Sequence, residues 1–140
     1  MLTNIAFVVP GEPQGKGRAR IGKIAGHARM FTPAKTLAYE SLIAAQAYQA
    51  MLGHAPLAGP VVLDLELVHV MPVSWSKKKR SAMPVPQCKP DVDNVIKAVG
   101  DAGNGVLWMD DKQIAAVTAK RVWGDRPEVR VRVAAIGGAT

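Results

Sequence analysis

The stretch KPDVDNVIKAVGDAGNGVLWMDD, residues 89–111, decides how this chain is read. Pro90 disfavours helical backbone at Lys89, so the stretch begins extended. Asp91 and Asp93 are two apart, and residues two apart in an extended segment point the same way. Asp93 is also a good N-cap for the residues that follow. The spacing predicts a helix over 92–102 with two faces. Asp93, Lys97 and Asp101 are successive i, i+4 neighbours on one face, while Val95, Val99 and Ala102 lie together on another and can pack inward. Asn104-Gly105 then reads as a turn. A short strand through Val106, Leu107 and Trp108 is expected to bring Asp111 back to the first two aspartates.

The flanks supply the rest of the architecture. Residues 113–123 and 128–136 read as two strands joined by a turn at Gly124-Asp125-Arg126-Pro127. Upstream, residues 61–71 read as a strand ending at Pro72, and residues 3–9 as a first strand ending at the Pro10-Gly11 turn. Leu37, Leu42, Ala45, Tyr48 and Leu52 recur at helical spacing in an alanine-rich segment, which predicts a long amphipathic helix over 34–52 stopped by Gly53. Residues 11–33, with five glycines and Glu12 as their only acid, read as a loop or loose hairpin. Residues 77–80 read as a short helix or mobile flap. The sum is one small domain over 1–140, of mixed α/β class (α+β-like), with two main helices on one mixed sheet of about four or five strands.

Composition agrees and narrows the partners. The chain has 140 residues, 49% hydrophobic and 21% charged, a balance suited to one folded core. It carries 18 Lys and Arg against 11 Asp and Glu, a formal net charge of +7, which favours a polyanion such as nucleic acid. A single cysteine, Cys88, excludes an internal disulfide and a Cys-rich zinc site, and points to a reducing compartment. No histidine is near it in sequence, so a buried or half-buried structural thiol is expected. No segment reaches the roughly 20 apolar residues a membrane span needs. The N-terminus lacks the basic region and cleavage site of a signal peptide. A soluble, cytoplasmic protein is expected.

Five of the eleven acids, Asp91, Asp93, Asp101, Asp110 and Asp111, fall within residues 91–111. Gathered carboxylates repel unless a cation offsets them. Carboxylates with no His or Cys nearby form a hard-ligand site, suited to magnesium or manganese rather than zinc. Such an ion, with Lys97 beside it, serves phosphodiester hydrolysis. The plainer alternative makes Asp93 a helix cap, Lys97 a maker of surface ion pairs and Asp110-Asp111 a solvated turn. Two positive segments, Lys16, Arg18, Arg20, Lys23 and Arg29 in the first loop and Lys77, Lys78, Lys79 and Arg80 in the second, are candidates for phosphate contact that positions DNA without reading sequence. The alternative is a pair of solvated loops. Trp75 reads either as a base-stacking residue or as an anchor for the flap; Trp108 and Trp123 read as core.

The sequence K89-P-D-V-D-N94, followed by Lys97, Asp101 and N104-G-V-L-W-M-D-D111, resembles the signature of the RusA-type Holliday-junction resolvases. The opening P10-G-E-P-Q-G-K-G-R-A-R20 with F31-T-P33 is similar to that of phage-borne members, so the resemblance spans nearly the whole chain. It implies a homodimer of mixed α/β subunits that makes paired symmetric nicks across a four-way DNA junction, with one magnesium site per subunit (manganese able to substitute). By resemblance, Asp91, Asp93 and Asp111 hold the metal, Lys97 is the catalytic lysine, and Asp101 and Asp110 have supporting roles. Gly103 departs from the motif, which usually has a bulky apolar residue there; with Gly100 it predicts a helix ending near Ala102. The competing readings are a metal-dependent nuclease for other branched DNA, such as flaps or forks, and a non-catalytic DNA-binding relative.

Overall fold

Alternation of apolar and polar residues builds the sheet. In the computed structural model, which describes residues 2–17 and 34–137 and the backbone of 20–24 and 27–31, Ile5, Phe7 and Val9 face inward along β1 (Asn4–Pro10) and their neighbours outward. β4 (Val61–His69) buries Val61, Leu63, Leu65 and Leu67 in the same way, and β6 (Glu128–Ala135) buries Val129, Val131 and Val133. With β5 (Ile114–Trp123) these form one four-stranded sheet of order β1-β6-β4-β5. β6 is antiparallel to both β1 and β4, whereas β4 and β5 run parallel. The sheet is therefore mixed, as the α/β reading expects. The parallel pair needs a crossover, and the chain between β4 and β5 supplies it with two helices, Lys77–Ala82 and Val92–Ala102. β2 (Arg20–Ile24) and β3 (His27–Phe31) pair as an antiparallel hairpin, the second of the two forms expected for that loop.

Two helices cover the apolar face of the sheet. α1 (Ala34–Met51) packs through Thr36, Tyr39, Ile43, Ala47 and Met51. This corrects the face read from sequence: Leu37, Tyr48 and Leu52 are exposed, at 53%, 70% and 84%. An alanine-rich helix offers two apolar stripes, and the one with Tyr39, Ile43 and Met51 occupies the core. α3 (Val92–Ala102) buries Val95, Val99 and Ala102 as expected, together with Ala98 and Gly100. A short α2 (Lys77–Ala82) has no buried residue. No described helix is long and apolar enough to cross a membrane.

The expected strand at residues 106–108 does not form. The N–H groups of Val106 and Leu107 donate to Gly103 O at 3.0 and 2.8 Å, which closes a tight turn. Leu57 N–H holds that turn from outside by donating to Leu107 O at 2.8 Å. Trp108, fully buried, locks it by donating from Nε1 to Gly100 O and Asn104 Oδ1. A 3-10 turn, Asp111–Gln113, then leads into β5.

Candidate metal and DNA site

α3 presents the acids. Its N-cap is Asp91, ahead of the Asp93 cap read from sequence. The Asp91 backbone is extended, and its carbonyl accepts from Asn94 and Val95 N–H at 3.1 and 3.3 Å. Its carboxylate makes no capping bond. Asp93 stands in the first turn, where a negative charge suits the helix dipole. Both aspartates are exposed, and neither carboxylate makes an ion pair or hydrogen bond among the described residues. Lys97, one turn further, is exposed and likewise forms no ion pair there. The plain account of Lys97 as a surface ion-pair partner therefore lacks its partner.

The double aspartate divides its work. Asp110 Oδ1 accepts from Lys112 N–H at 2.9 Å, and Gln113 Oε1 accepts from Met109 and Asp110 N–H, which makes Asp110 the cap of the 3-10 turn. Gln113 Nε2 in turn donates to Leu57 and Gly59 carbonyls. So fixed, the turn lays Asp111 onto α3 at Gly100: a methyl there would lie 3.8 Å from Asp111 Cβ and 3.9 Å from its Oδ2. Partial desolvation and the neighbouring Asp101 and Asp110 charges push the Asp111 carboxyl above its usual range. Burial and like charge both disfavour the ionised carboxylate.

The chain thus brings Asp111 to the C-terminal half of α3, beside Gly100 and Asp101, rather than to Asp91 at its start. Asp93 and Gly100 are seven residues apart, hence on one stripe but about 10 Å apart along the axis. Lys97 lies between them. Among the described residues, no three His, Cys, Asp or Glu side chains converge as a preformed metal cluster. The donor set nevertheless fits a hard cation, because every group is a carboxylate and magnesium takes water and phosphate oxygens as its remaining ligands.

Sequence reasoning missed the support behind the acidic turn. Arg121 on β5 donates from Nη2 to Pro90 O, one residue before Asp91. Its other nitrogen lies 3.5 Å from His69 Nε2 and 3.9 Å from Cys88 Sγ. His69 Nδ1 is 3.6 Å from Cys88 Sγ and 3.7 Å from Glu12 Oε2. Cys88 is exposed, not buried, and has a histidine beside it in space. His69 is buried; desolvation first, then the Arg121 charge, hold its imidazole below the ordinary range, with Glu12 opposing.

The basic segments differ from one another. Arg18 lies outside the described residues; Arg20, Lys23 and Arg29 lie on β2 and β3, whose side chains are also outside them. Lys16 makes ion pairs with Asp101 and Glu40. In the flap, Arg80 donates to the carbonyls of Trp75, Pro72 and Val73, so its guanidinium folds the loop on itself. Lys79 sits 4.8 Å over the Trp75 ring, and Trp75 meets Trp123 edge-on at 5.6 Å. Trp75 is thereby the flap's anchor. Lys77 and Lys78 are exposed and form no ion pair among the described residues.

A small mixed α/β domain of net charge +7 that gathers five of its eleven acids at and after one helix suits the class of proteins that process nucleic acid. Comparison with known proteins makes this specific. The family model of the endodeoxyribonuclease RusA matches residues 10–134. A Bacillus subtilis (strain 168) protein named "Uncharacterized protein YqaN" is 36% identical over 138 residues, covering 92% of this chain and 94% of the relative. The chain belongs to the RusA endodeoxyribonuclease family. Membership implies a hydrolase of DNA.

Proposed function

We propose that this protein is a magnesium-dependent, structure-selective endonuclease that resolves four-way DNA junctions by paired symmetric nicks, acting as a homodimer in the cytoplasm during recombination and repair. The observation that carries the reading is the arrangement at α3: Asp91 at its N-cap and Asp93 and Lys97 on its stripe are exposed and unpartnered among the described residues, while Asp111 is laid against the same helix. Asp91, Asp93 and Asp111 would hold the metal, with manganese an acceptable substitute. A bound ion supplies the Lewis acidity that activates water and stabilises charge on the scissile phosphate.

The chain's own residues do the rest. Lys97 projects a positive charge from the stripe to a non-bridging or leaving oxygen. Arg121 holds the carbonyl of Pro90 and so fixes the entry to Asp91. Asp110 caps the turn that aims Asp111. Lys77 and Lys78, with Arg18 and Arg20 of the first loop, contact backbone phosphates and set affinity without reading sequence. Lys79 and Arg80 keep the flap in shape. The test is cleavage of a synthetic junction by Asp93→Asn: loss of cutting with binding and circular dichroism retained supports the assignment, and loss of folding would make Asp93 structural instead.

A further inference from the structure

Lys16 looks from sequence like a phosphate contact, yet its surroundings are acidic. Its ammonium donates to Asp101 Oδ2 and lies 3.4 Å from Glu40 Oε1. The N–H of the same residue donates to Asn94 O at 3.0 Å, and the N–H of Gly17 to Thr36 Oγ1 at 2.8 Å. Asn94 and Asp101 are two turns apart on α3, about 10 Å along its axis. Lys16 therefore stretches along the helix, with its backbone at the first turn and its ammonium at the last, and Glu40 of α1 reaches the same ammonium. The fit is close: a Cβ on Gly15 would lie 2.7 Å from Asn94 Cβ and 3.1 Å from Pro90 Cβ.

Asp101 is consequently a shared residue. Lys16 holds one of its oxygens, and Asp111 packs over Gly100, its immediate neighbour in sequence. We propose that Lys16 is the built-in counter-ion of the acidic site: its ammonium holds Asp101 and keeps that carboxylate from joining Asp111 on a divalent cation in the absence of DNA. The proposal rests on the reading above that Asp111 belongs to a cation site. An ammonium and a divalent cation compete for one carboxylate and repel each other across a few ångströms. With Lys16 in place, the protein alone offers metal a depleted set of ligands. Phosphate oxygens then supply the missing ones, so metal and DNA each strengthen the binding of the other. Lys16 is a positioning residue in this scheme, acting through Asp101.

The experiment is titration of Mn2+ into the full-length protein without DNA, with free Mn2+ read by electron paramagnetic resonance. Lys16→Met is expected to bind Mn2+ roughly three- to tenfold more tightly than the parent, a modest gain because the pair is partly solvated. Lys16→Arg keeps the charge and should stay within about twofold of the parent. Lys16→Met added to Asp101→Asn should give no tightening. Unchanged or weaker Mn2+ binding by a folded Lys16→Met variant overturns the proposal, since that is what a mere loop anchor would give. Tightening of equal size in the Asp101→Asn background also overturns it. Should the methionine variant fail to fold, Lys16→Gln removes the charge while keeping a donor for Asp101, and the same two outcomes apply. A parent protein whose Mn2+ binding survives Asp111→Asn instead contradicts the metal site itself, whatever Lys16 does.

Discussion

Gly103→Ala and Gly100→Ala should behave in opposite ways, although both replace a buried glycine near the end of the same helix. At Gly103 the added methyl would lie 2.6 Å from Trp108 Cζ2, 2.9 Å from Cε2 and 3.1 Å from Leu107 Cδ1. Carbon atoms at rest sit about 3.5–4.0 Å apart, so the overlap with the indole is roughly 1 Å. Trp108 is fully buried and tied by Nε1 to Gly100 O and Asn104 Oδ1, so it moves only by loosening those bonds. Overpacking costs about 1–3 kcal/mol and a broken hydrogen bond about 1, against a propensity gain of at most about 1. The net is a loss of roughly 1–4 kcal/mol. For a domain of this size that lowers Tm by about 3–20 °C. At Gly100 the nearest atoms are 3.8–4.0 Å away, which is ordinary contact. Gly100→Ala should therefore leave Tm unchanged or raise it by a few degrees, at most about 1 kcal/mol of helix propensity. Differential scanning calorimetry reads both. A Gly103→Ala variant that melts with the parent, or a Gly100→Ala variant that is the more damaging of the two, would refute this reasoning.

Asp111→Asn should abolish cleavage and cost little stability, because Asp110 rather than Asp111 caps the turn; melting curves beside the cleavage assay check both halves. Junction affinity should fall steeply with salt, and Lys77→Ala with Lys78→Ala should flatten the log–log slope by about one unit for each phosphate these lysines neutralise; a salt-insensitive affinity would contradict their role on the DNA backbone. His69 carries the pH dependence of stability in its range. Its folded pKa is below the ordinary value of 6.5, so the unfolded chain takes up the proton first. The contribution is complete above about pH 6.5 and is lost as pH falls toward the folded value. Urea unfolding from about pH 7.5 down to about 5 should show that loss, and His69→Asn should flatten it. Trp75→Ala removes both the edge-on packing with Trp123 and the seat of Lys79, so proteolysis within residues 72–84 should accelerate.

What could be read from sequence was whatever short-range periodicity controls. Pro90, the i, i+4 series Asp93–Lys97–Asp101 and the apolar set Val95, Val99 and Ala102 placed α3 and its two faces. Apolar, β-branched runs bounded by turn signals at Pro10-Gly11, Pro72 and Gly124–Pro127 placed β1, β4 and β6. The buried face of α1 was not legible, because Leu37, Tyr48 and Leu52 keep helical spacing as well as Tyr39, Ile43 and Met51 do. Only the packing partners choose between them. Residues 106–108 look like a strand but are held as a turn by the indole of Trp108, a bond between a side chain and a helix carbonyl that local propensity does not encode. Lys16 and Asp101 are 85 residues apart, and Arg121 and Pro90 are 31 apart. Such pairings arise from the parallel β4–β5 crossover and the N-terminal loop, so no local pattern marks them.

Cleavage of a labelled four-way junction with and without magnesium, beside flap and linear duplex controls, tests the central claim most directly. Paired symmetric nicks that require the metal and appear on the junction alone are the predicted result. Equal cutting of every substrate would contradict the junction selectivity, and no cutting at any magnesium concentration would contradict the nuclease reading of the α3 stripe.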